Sequence, residues 1–279
     1  MWILRISSVM FSVLNEKTGM LKIFPRVCAR GIFISVVDER SIPWYTSRYF
    51  FVGNMRVSRR LAFLCVLRIS VAIGFLLLGF RMIATGTEGY FFLLWNLFLA
   101  AIPYAISIVF ERACIRSPRS KGGVFALFAL WLFFFPNAPY IMTDFIHLPW
   151  EYAGTSHFIF DFSLVAAFTF SGFLFGAGSL FRIHRTLRRM LGVIRADMIA
   201  VSVILLSGIG IYLGRFLRWN SWDILLNPLD VLRSATSHYG DPTWFLHAVL
   251  LSLLFSLGTG ISYGVFLGVY RFLGKRVED

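Results

Sequence analysis

Two polar stretches, each at the end of an apolar run, carry the residues that could do chemistry in this chain. The first, WLFFFPNAPYIMTDFIHLPW at 131–150, contains Asp144 and His147, and the second, YLGRFLRWNSWDILLNPLD at 212–230, contains Arg215 and Arg218. A positioned carboxylate or histidine can act as a general base, and two guanidiniums one turn apart can hold a phosphate or carboxylate. The stretches therefore predict a site for a small anionic ligand. Its candidate residues are Asn137, Asp144, His147, Asp161, Arg215, Arg218, Asn220 and Asp223.

Four of these polar positions could instead ligate a divalent metal ion. Asp144 and His147 are three residues apart, and His157 and Asp161 are four apart, so each pair would share a helix face. Nitrogen and oxygen donors of this kind bind zinc and related ions. However, spacing such as H-E-x-x-H is absent, and Asp161 could simply favour the positive end of its helix. The sequence therefore assigns no metal and identifies no cofactor, with these four residues as the metal candidates.

The elements that must position these residues are membrane spans. Of the 279 residues, 58% are hydrophobic, 18% are aromatic and only 15% are charged, which is typical of a multi-span membrane protein. The net charge of +13 does not indicate nucleic-acid binding, because the basic residues form short clusters between apolar runs. We therefore expect the protein to lie in a lipid bilayer and not to bind nucleic acid.

Six apolar runs have the length and composition of spans, at about 61–83, 90–110, 122–142, 158–181, 196–214 and 244–272. The connections on one side, with both flanks, carry fifteen Lys and Arg residues, against four on the other side. By the positive-inside rule, both termini lie in the cytoplasm. The predicted fold is an all-α bundle of six transmembrane helices in the inner (plasma) membrane, with both polar stretches on the extracytoplasmic face.

The third run contains two prolines, Pro136 and Pro139, in its outer part. Each proline lacks an N–H and displaces the carbonyl one turn back, so the helix must break there. The freed backbone groups cannot face lipid and must be covered by neighbouring helices or line a wet cavity. Asn137 is the nearest side chain able to help.

Residues 1–54 mix apolar, basic and turn residues without a run long enough to span. Met55 is followed by RVSRR and then directly by the first apolar run, so we expect Met55 to be the natural start. The alternative is that residues 1–54 form a cytoplasmic or membrane-surface leader. The expected membrane domain covers 55–279.

Glycines and prolines suggest further details of packing. Small-residue faces for close helix contact are expected at Gly172, Gly176 and Gly178, and at Gly258, Gly260, Gly264 and Gly268. Asn227-Pro228 and Asp241-Pro242 are predicted to open helices, the first of them short and at the outer interface.

The stretches WLFFFPNAPYIMTDFIHL and GIYLGRFLRWNSWDILLNP resemble the two signature stretches of an uncharacterised prokaryotic multi-pass membrane family, domain of unknown function 1361. The resemblance runs from about Met55 to the C-terminus, and members generally lack a counterpart of residues 1–54. It implies no activity. The matching positions are Pro136, Asn137, Pro139, Tyr140, Thr143, Asp144, His147, Gly214, Arg215, Arg218, Asn220, Trp222 and Asp223.

Two functions from different classes remain open. The first is a non-enzymatic membrane component that binds a partner or small anionic ligand. The second is a membrane enzyme acting on a lipid or lipid-linked substrate at the outer leaflet, with Asp144 or His147 as general base and Arg215 and Arg218 holding the head group. A structural alternative also stands, in which Arg215 or Arg218 forms an ion pair with Asp144 or Asp161.

Overall fold

The computed structural model describes residues 25–28, 31–34, 45–116, 121–219 and 226–275. They fall into two compact units, one up to Arg60 and one from Leu61 onward. In the first unit, β1 (Pro25–Cys28) pairs antiparallel with β2 (Gly31–Ile34), a short hairpin that the apolar patterning did not predict. The second unit is all-α in its described residues and contains both polar stretches.

Eight α-helices are described, listed here in chain order: α1 (Tyr45–Thr85), α2 (Phe92–Arg116), α3 (Lys121–Phe134), α4 (Asn137–Tyr140), α5 (Ser156–Leu191), α6 (Val193–Phe216), α7 (Pro228–Gly240) and α8 (Pro242–Lys275). Two 3₁₀ helices, Ile141–His147 and Trp150–Tyr152, lie between α4 and α5.

Six segments are long and apolar enough to cross a membrane, which confirms the predicted six-span fold. They are Arg60–Thr85, Phe92–Ile115, Gly122–His147, Ser156–Leu191, Val193–Phe216 and Pro242–Phe272. Large apolar side chains cover their outer surfaces, such as Ile83, Leu76 and Phe125, which are 87%, 72% and 72% exposed. Such surfaces suit lipid tails, since hydrocarbon is the solvent there.

The predicted break in the third span is confirmed. Helix α3 ends at Phe134, two residues before Pro136, and the chain continues as one turn of α4 and then as a 3₁₀ helix. Asn137 Nδ2 donates to the Phe134 carbonyl at 3.1 Å, as its position suggested. Thr169 Oγ1 on α5 donates to the Ile141 carbonyl at 3.4 Å, so a neighbouring helix contacts the backbone of the 3₁₀ helix that follows the break.

Glycines on the neighbouring helices make room for this broken segment. A Cβ added at Gly172 of α5 would lie 2.8 Å from the Ala138 carbonyl oxygen, and one at Gly210 of α6 would lie 2.8 Å from Cγ of Pro136. A Cβ at Gly258 of α8 would meet Cε of Met142 at the same distance. The broken segment therefore packs closely against three helices at positions where those helices have glycine.

The other expected small-residue positions divide into two kinds. Gly176 and Gly178 also lie in close contacts, whereas a Cβ at Gly264 or Gly268 would meet nothing within 4 Å. Prolines open α7 at Pro228 and α8 at Pro242, as predicted.

Candidate functional site

At the centre of the polar region, Asp144 and Arg215 form an ion pair whose nearest atoms are too far apart for a direct hydrogen bond; we call it the open pair. Asp144 is 0% exposed, and its Oδ2 accepts a hydrogen bond of 2.8 Å from Asn96 Nδ2 on α2. Its Oδ1 has no hydrogen-bond partner and lies 4.0 Å from Arg215 Nη1, beyond hydrogen-bond range. An unsatisfied buried charged acceptor costs roughly 1–3 kcal/mol or more, so this atom needs an explanation.

Arg215 is fixed by the broken third span. Its Nη2 donates to the Thr143 carbonyl at 2.7 Å, its Nη1 donates to the Tyr140 hydroxyl at 3.3 Å, and its Cζ lies 5.7 Å from the Tyr140 ring centroid. Because the Thr143 carbonyl of the first stretch accepts from Arg215 of the second, the two polar stretches meet at this guanidinium. The Arg215 side chain is 14% exposed, whereas that of Asp144 is 0% exposed.

Asp161, by contrast, belongs to an ion pair with direct hydrogen bonds. Arg81 on α1 binds it with both ends of the fork, Nε to Oδ1 at 2.7 Å and Nη2 to Oδ2 at 3.2 Å. Arg81 also donates to Thr87 at 2.8 Å and lies over the Tyr90 ring at 4.4 Å. Burial, together with the charge of Asp161 and a hydrogen bond to it, raises the pKa of Tyr90 to about 12. We call this arrangement the closed pair; it ties α1 to α5.

The two histidines of the predicted acid–His pairs are exposed, whereas the carboxylates of both pairs are buried. His147 is exposed, and its ring contacts Phe92 edge-on at 4.8 Å. His157 is also exposed, one turn before Asp161. In the parts of the chain that the structure describes, no three His, Cys, Asp or Glu residues converge as ligands for a metal ion.

Arg218 follows the end of α6 with a backbone φ of +57°, in the left-handed region. The chain closes there by a hydrogen bond of 3.3 Å from Trp219 N to the Leu213 carbonyl, at a position where glycine is usual. The Arg218 side chain is exposed. A non-glycine residue in this conformation costs about 1 kcal/mol, so the guanidinium is presented at an energetic cost. Asn220, Trp222 and Asp223 lie outside the described residues.

A second polar network, formed by residues outside the predicted candidates, lies at the opposite end of the bundle. Glu111 on α2 binds Arg182 at 2.8 Å and also binds Arg185. His184 bridges two helices, with Nδ1 2.7 Å from the Tyr263 hydroxyl and Nε2 2.7 Å from Asp197 Oδ1.

Arg188 completes this network through Asp197, with Nε 2.8 Å from the same carboxylate oxygen. The network therefore fastens α5 to α2, α6 and α8 at the arginine-rich end.

Asn96 and Arg81 are the important residues near the candidate site that the sequence analysis missed. Both are polar residues within otherwise apolar runs, which is the signal that could have identified them. Their partners could not be inferred, because Asn96 and Asp144 are 48 residues apart and Arg81 and Asp161 are 80 apart.

A family model covers the part of the chain that contains this site. The model described as a protein of unknown function (DUF1361) matches residues 95–258, which include both polar stretches and the open pair. The chain belongs to the DUF1361 family. Searches of curated proteins and of solved structures found no match. This DUF1361 protein is a multi-pass membrane protein, and its family description assigns no activity.

Proposed function

We propose that this DUF1361 protein is an inner-membrane component that binds a small anionic ligand, or a partner presenting such a group, at the open pair. The observation that carries the proposal is the contrast between its two ion pairs. Arg81 and Asp161 satisfy each other with two hydrogen bonds, whereas Asp144 is fully buried with one oxygen unpartnered. A pair that serves only to fasten helices would be expected to close as the first one does.

The charge of the two arginines supports an anion as the ligand. Arg215 is partly exposed above the open pair, and Arg218 presents an exposed guanidinium three residues later in the chain. Guanidiniums bind phosphate and carboxylate groups through paired hydrogen bonds. The glycine contacts around α4 hold the Tyr140–Asp144 side of the site rigidly, and such preorganisation favours binding.

Ligand binding is tested with purified protein in lipid nanodiscs, measuring retention of phosphatidylglycerol against phosphatidylcholine by native mass spectrometry. We expect the anionic lipid to be retained at least tenfold more strongly. Arg218→Gln, at an exposed position, should reduce this ratio severalfold. The matched control is Arg233→Gln, which removes an 80% exposed guanidinium on α7. Equal effects of the two substitutions would show that only general surface charge matters, against the proposal.

The side of the membrane follows from charge, and the site is proposed to face outward. The arginine-rich connections lie at the end opposite Arg215, and positive residues favour the cytoplasm. Cysteines introduced at the exposed positions Glu151 and Arg195, in a chain without its native cysteines, should report this. An impermeant maleimide added to intact cells should label Glu151→Cys and not Arg195→Cys; the reverse pattern would place the site inside.

An enzyme acting on a lipid or lipid-linked substrate at the outer leaflet is the alternative function. It is favoured by one observation, the unpartnered oxygen of Asp144, which could accept a proton from a substrate hydroxyl as a general base. In that case cells carrying Asp144→Asn should accumulate a substrate in their lipid fraction. An unchanged lipid fraction with altered binding would support the binding function instead.

A further inference from the structure

We infer that the ligand of the open pair carries a free hydroxyl group close to its anionic group, and that Asp144 and Arg215 together bind this hydroxyl. The inference rests on the proposed function and specifies its ligand class. It follows from the position of one unpartnered atom, Asp144 Oδ1, relative to Arg215 Nη1.

The distance between these two atoms suits one bridging oxygen atom. The separation of 4.0 Å is too long for a direct hydrogen bond. For an oxygen placed about 2.8 Å from each atom, the angle Oδ1–oxygen–Nη1 is about 90°, which is compatible with two good hydrogen bonds. A single ligand oxygen can therefore complete both groups.

The chemistry of the two groups selects a hydroxyl. Oδ1 of the carboxylate needs a donor, whereas Nη1 of the guanidinium, which donates one N–H to the Tyr140 hydroxyl, has a second N–H for another acceptor. A hydroxyl supplies both. An ammonium has no acceptor lone pair and would be repelled by Arg215, and a carboxylate would be repelled by Asp144.

The anionic group then lies on the outer side of Arg215. Asp144 is fully buried, so a phosphate cannot replace the hydroxyl next to it without two negative charges meeting in a poorly solvated place. Arg215 is partly exposed, and Arg218 is exposed beyond the end of α6. A phosphodiester whose alcohol has a free hydroxyl, such as a glycerol head group, matches this order of groups from outside to inside.

Asn96 makes a specific substitution informative. In Asp144→Asn, an amide oxygen that keeps the hydrogen bond of 2.8 Å from Asn96 Nδ2 takes the place of Oδ2. The amide NH₂ then occupies the place of Oδ1 and faces Arg215. This change preserves shape, removes the carboxylate charge and replaces the unpartnered acceptor with a donor, so it should remove recognition of the hydroxyl.

The experiment compares two lipids of equal charge in nanodiscs by native mass spectrometry. Phosphatidylglycerol has free hydroxyls on its head group, whereas phosphatidylmethanol is the same phosphodiester without them. The natural protein should retain phosphatidylglycerol about tenfold more strongly, because a site built around a hydroxyl leaves polar groups unpaired without it. Asp144→Asn should bring the ratio to within about twofold of one. Asp230→Asn, at an exposed carboxylate on α7, is the control and should keep the natural ratio.

The outcomes separate this inference from the proposed function. Equal retention of both anionic lipids, above phosphatidylcholine, overturns the hydroxyl inference and leaves anion binding standing; a water molecule would then fill the gap. Retention of neither anionic lipid above phosphatidylcholine overturns both. The comparison of lipids on the natural protein needs no variant, so poor folding of Asp144→Asn would not prevent the test.

Discussion

Substitution of Gly172 by alanine tests whether the broken third span is held by close contact with α5. The added Cβ would lie 2.8 Å from the Ala138 carbonyl oxygen and 3.2 Å from Cδ1 of Ile141. The nearest atom belongs to the backbone, so it cannot move away as the end of a flexible side chain could. Overpacking of this kind typically costs about 1–3 kcal/mol.

A matched control separates this steric cost from the intrinsic effect of replacing glycine in a helix. Alanine is favoured over glycine in helices by about 1 kcal/mol, and this gain accompanies both Gly172→Ala and Gly264→Ala. A Cβ at Gly264 meets nothing within 4 Å. The difference between the two variants therefore reports the contact alone, about 1–3 kcal/mol in favour of Gly264→Ala.

The assay is thermal unfolding in one detergent, followed by the fluorescence of the native tryptophans. For a domain of this size, each kcal/mol changes Tm by about 2–4 °C, so Gly172→Ala should melt roughly 2–12 °C below Gly264→Ala. An equal or higher Tm for Gly172→Ala than for Gly264→Ala would contradict the close packing of α4 on α5.

Two further predictions concern charged residues near the site. Arg81→Gln and Asp161→Asn each remove one partner of the closed pair, and each should lower the free energy of unfolding by about 3 kcal/mol. The double variant should lose about 1–3 kcal/mol less than the sum of the two losses. Additive losses in thermal unfolding would argue against a direct pair. Arg218→Gly should raise Tm by about 2–4 °C, because glycine adopts a φ of +57° without the roughly 1 kcal/mol penalty. The same variant should retain less phosphatidylglycerol. A lower Tm would contradict the backbone strain at Arg218.

The six spans and the helix break could be predicted because they depend on local properties. Apolar length determines where a helix can cross, and two prolines three residues apart break the third span, whereas the single Pro103 lies inside α2 without ending it. The span ends were less predictable: α5 extends to Leu191, ten residues beyond the expected end near 181, because its arginines continue the helix past the apolar run.

The pairing within the site could not be predicted, because it depends on contacts between distant spans. Asp144 and Asp161 looked alike in the sequence, as acids near the same end of the bundle. Their outcomes differ because α1 brings a guanidinium to Asp161, whereas α2 brings only an amide to Asp144. The His147 ring likewise contacts Phe92 and lies in an exposed position, which its spacing from Asp144 did not indicate.

The capping of the broken span also has a consequence for the order of events during synthesis. The carbonyls of Ile141 and Thr143 accept hydrogen bonds from Thr169 and Arg215, which follow them in the chain by 28 and 72 residues respectively. At about 5–20 residues per second, the Thr143 carbonyl waits roughly 4–14 s for its partner to be made. Until then the segment lacks its hydrogen bond to α6. The contact between the third and fifth spans can therefore form only after the fifth has been made, although the third is translated earlier.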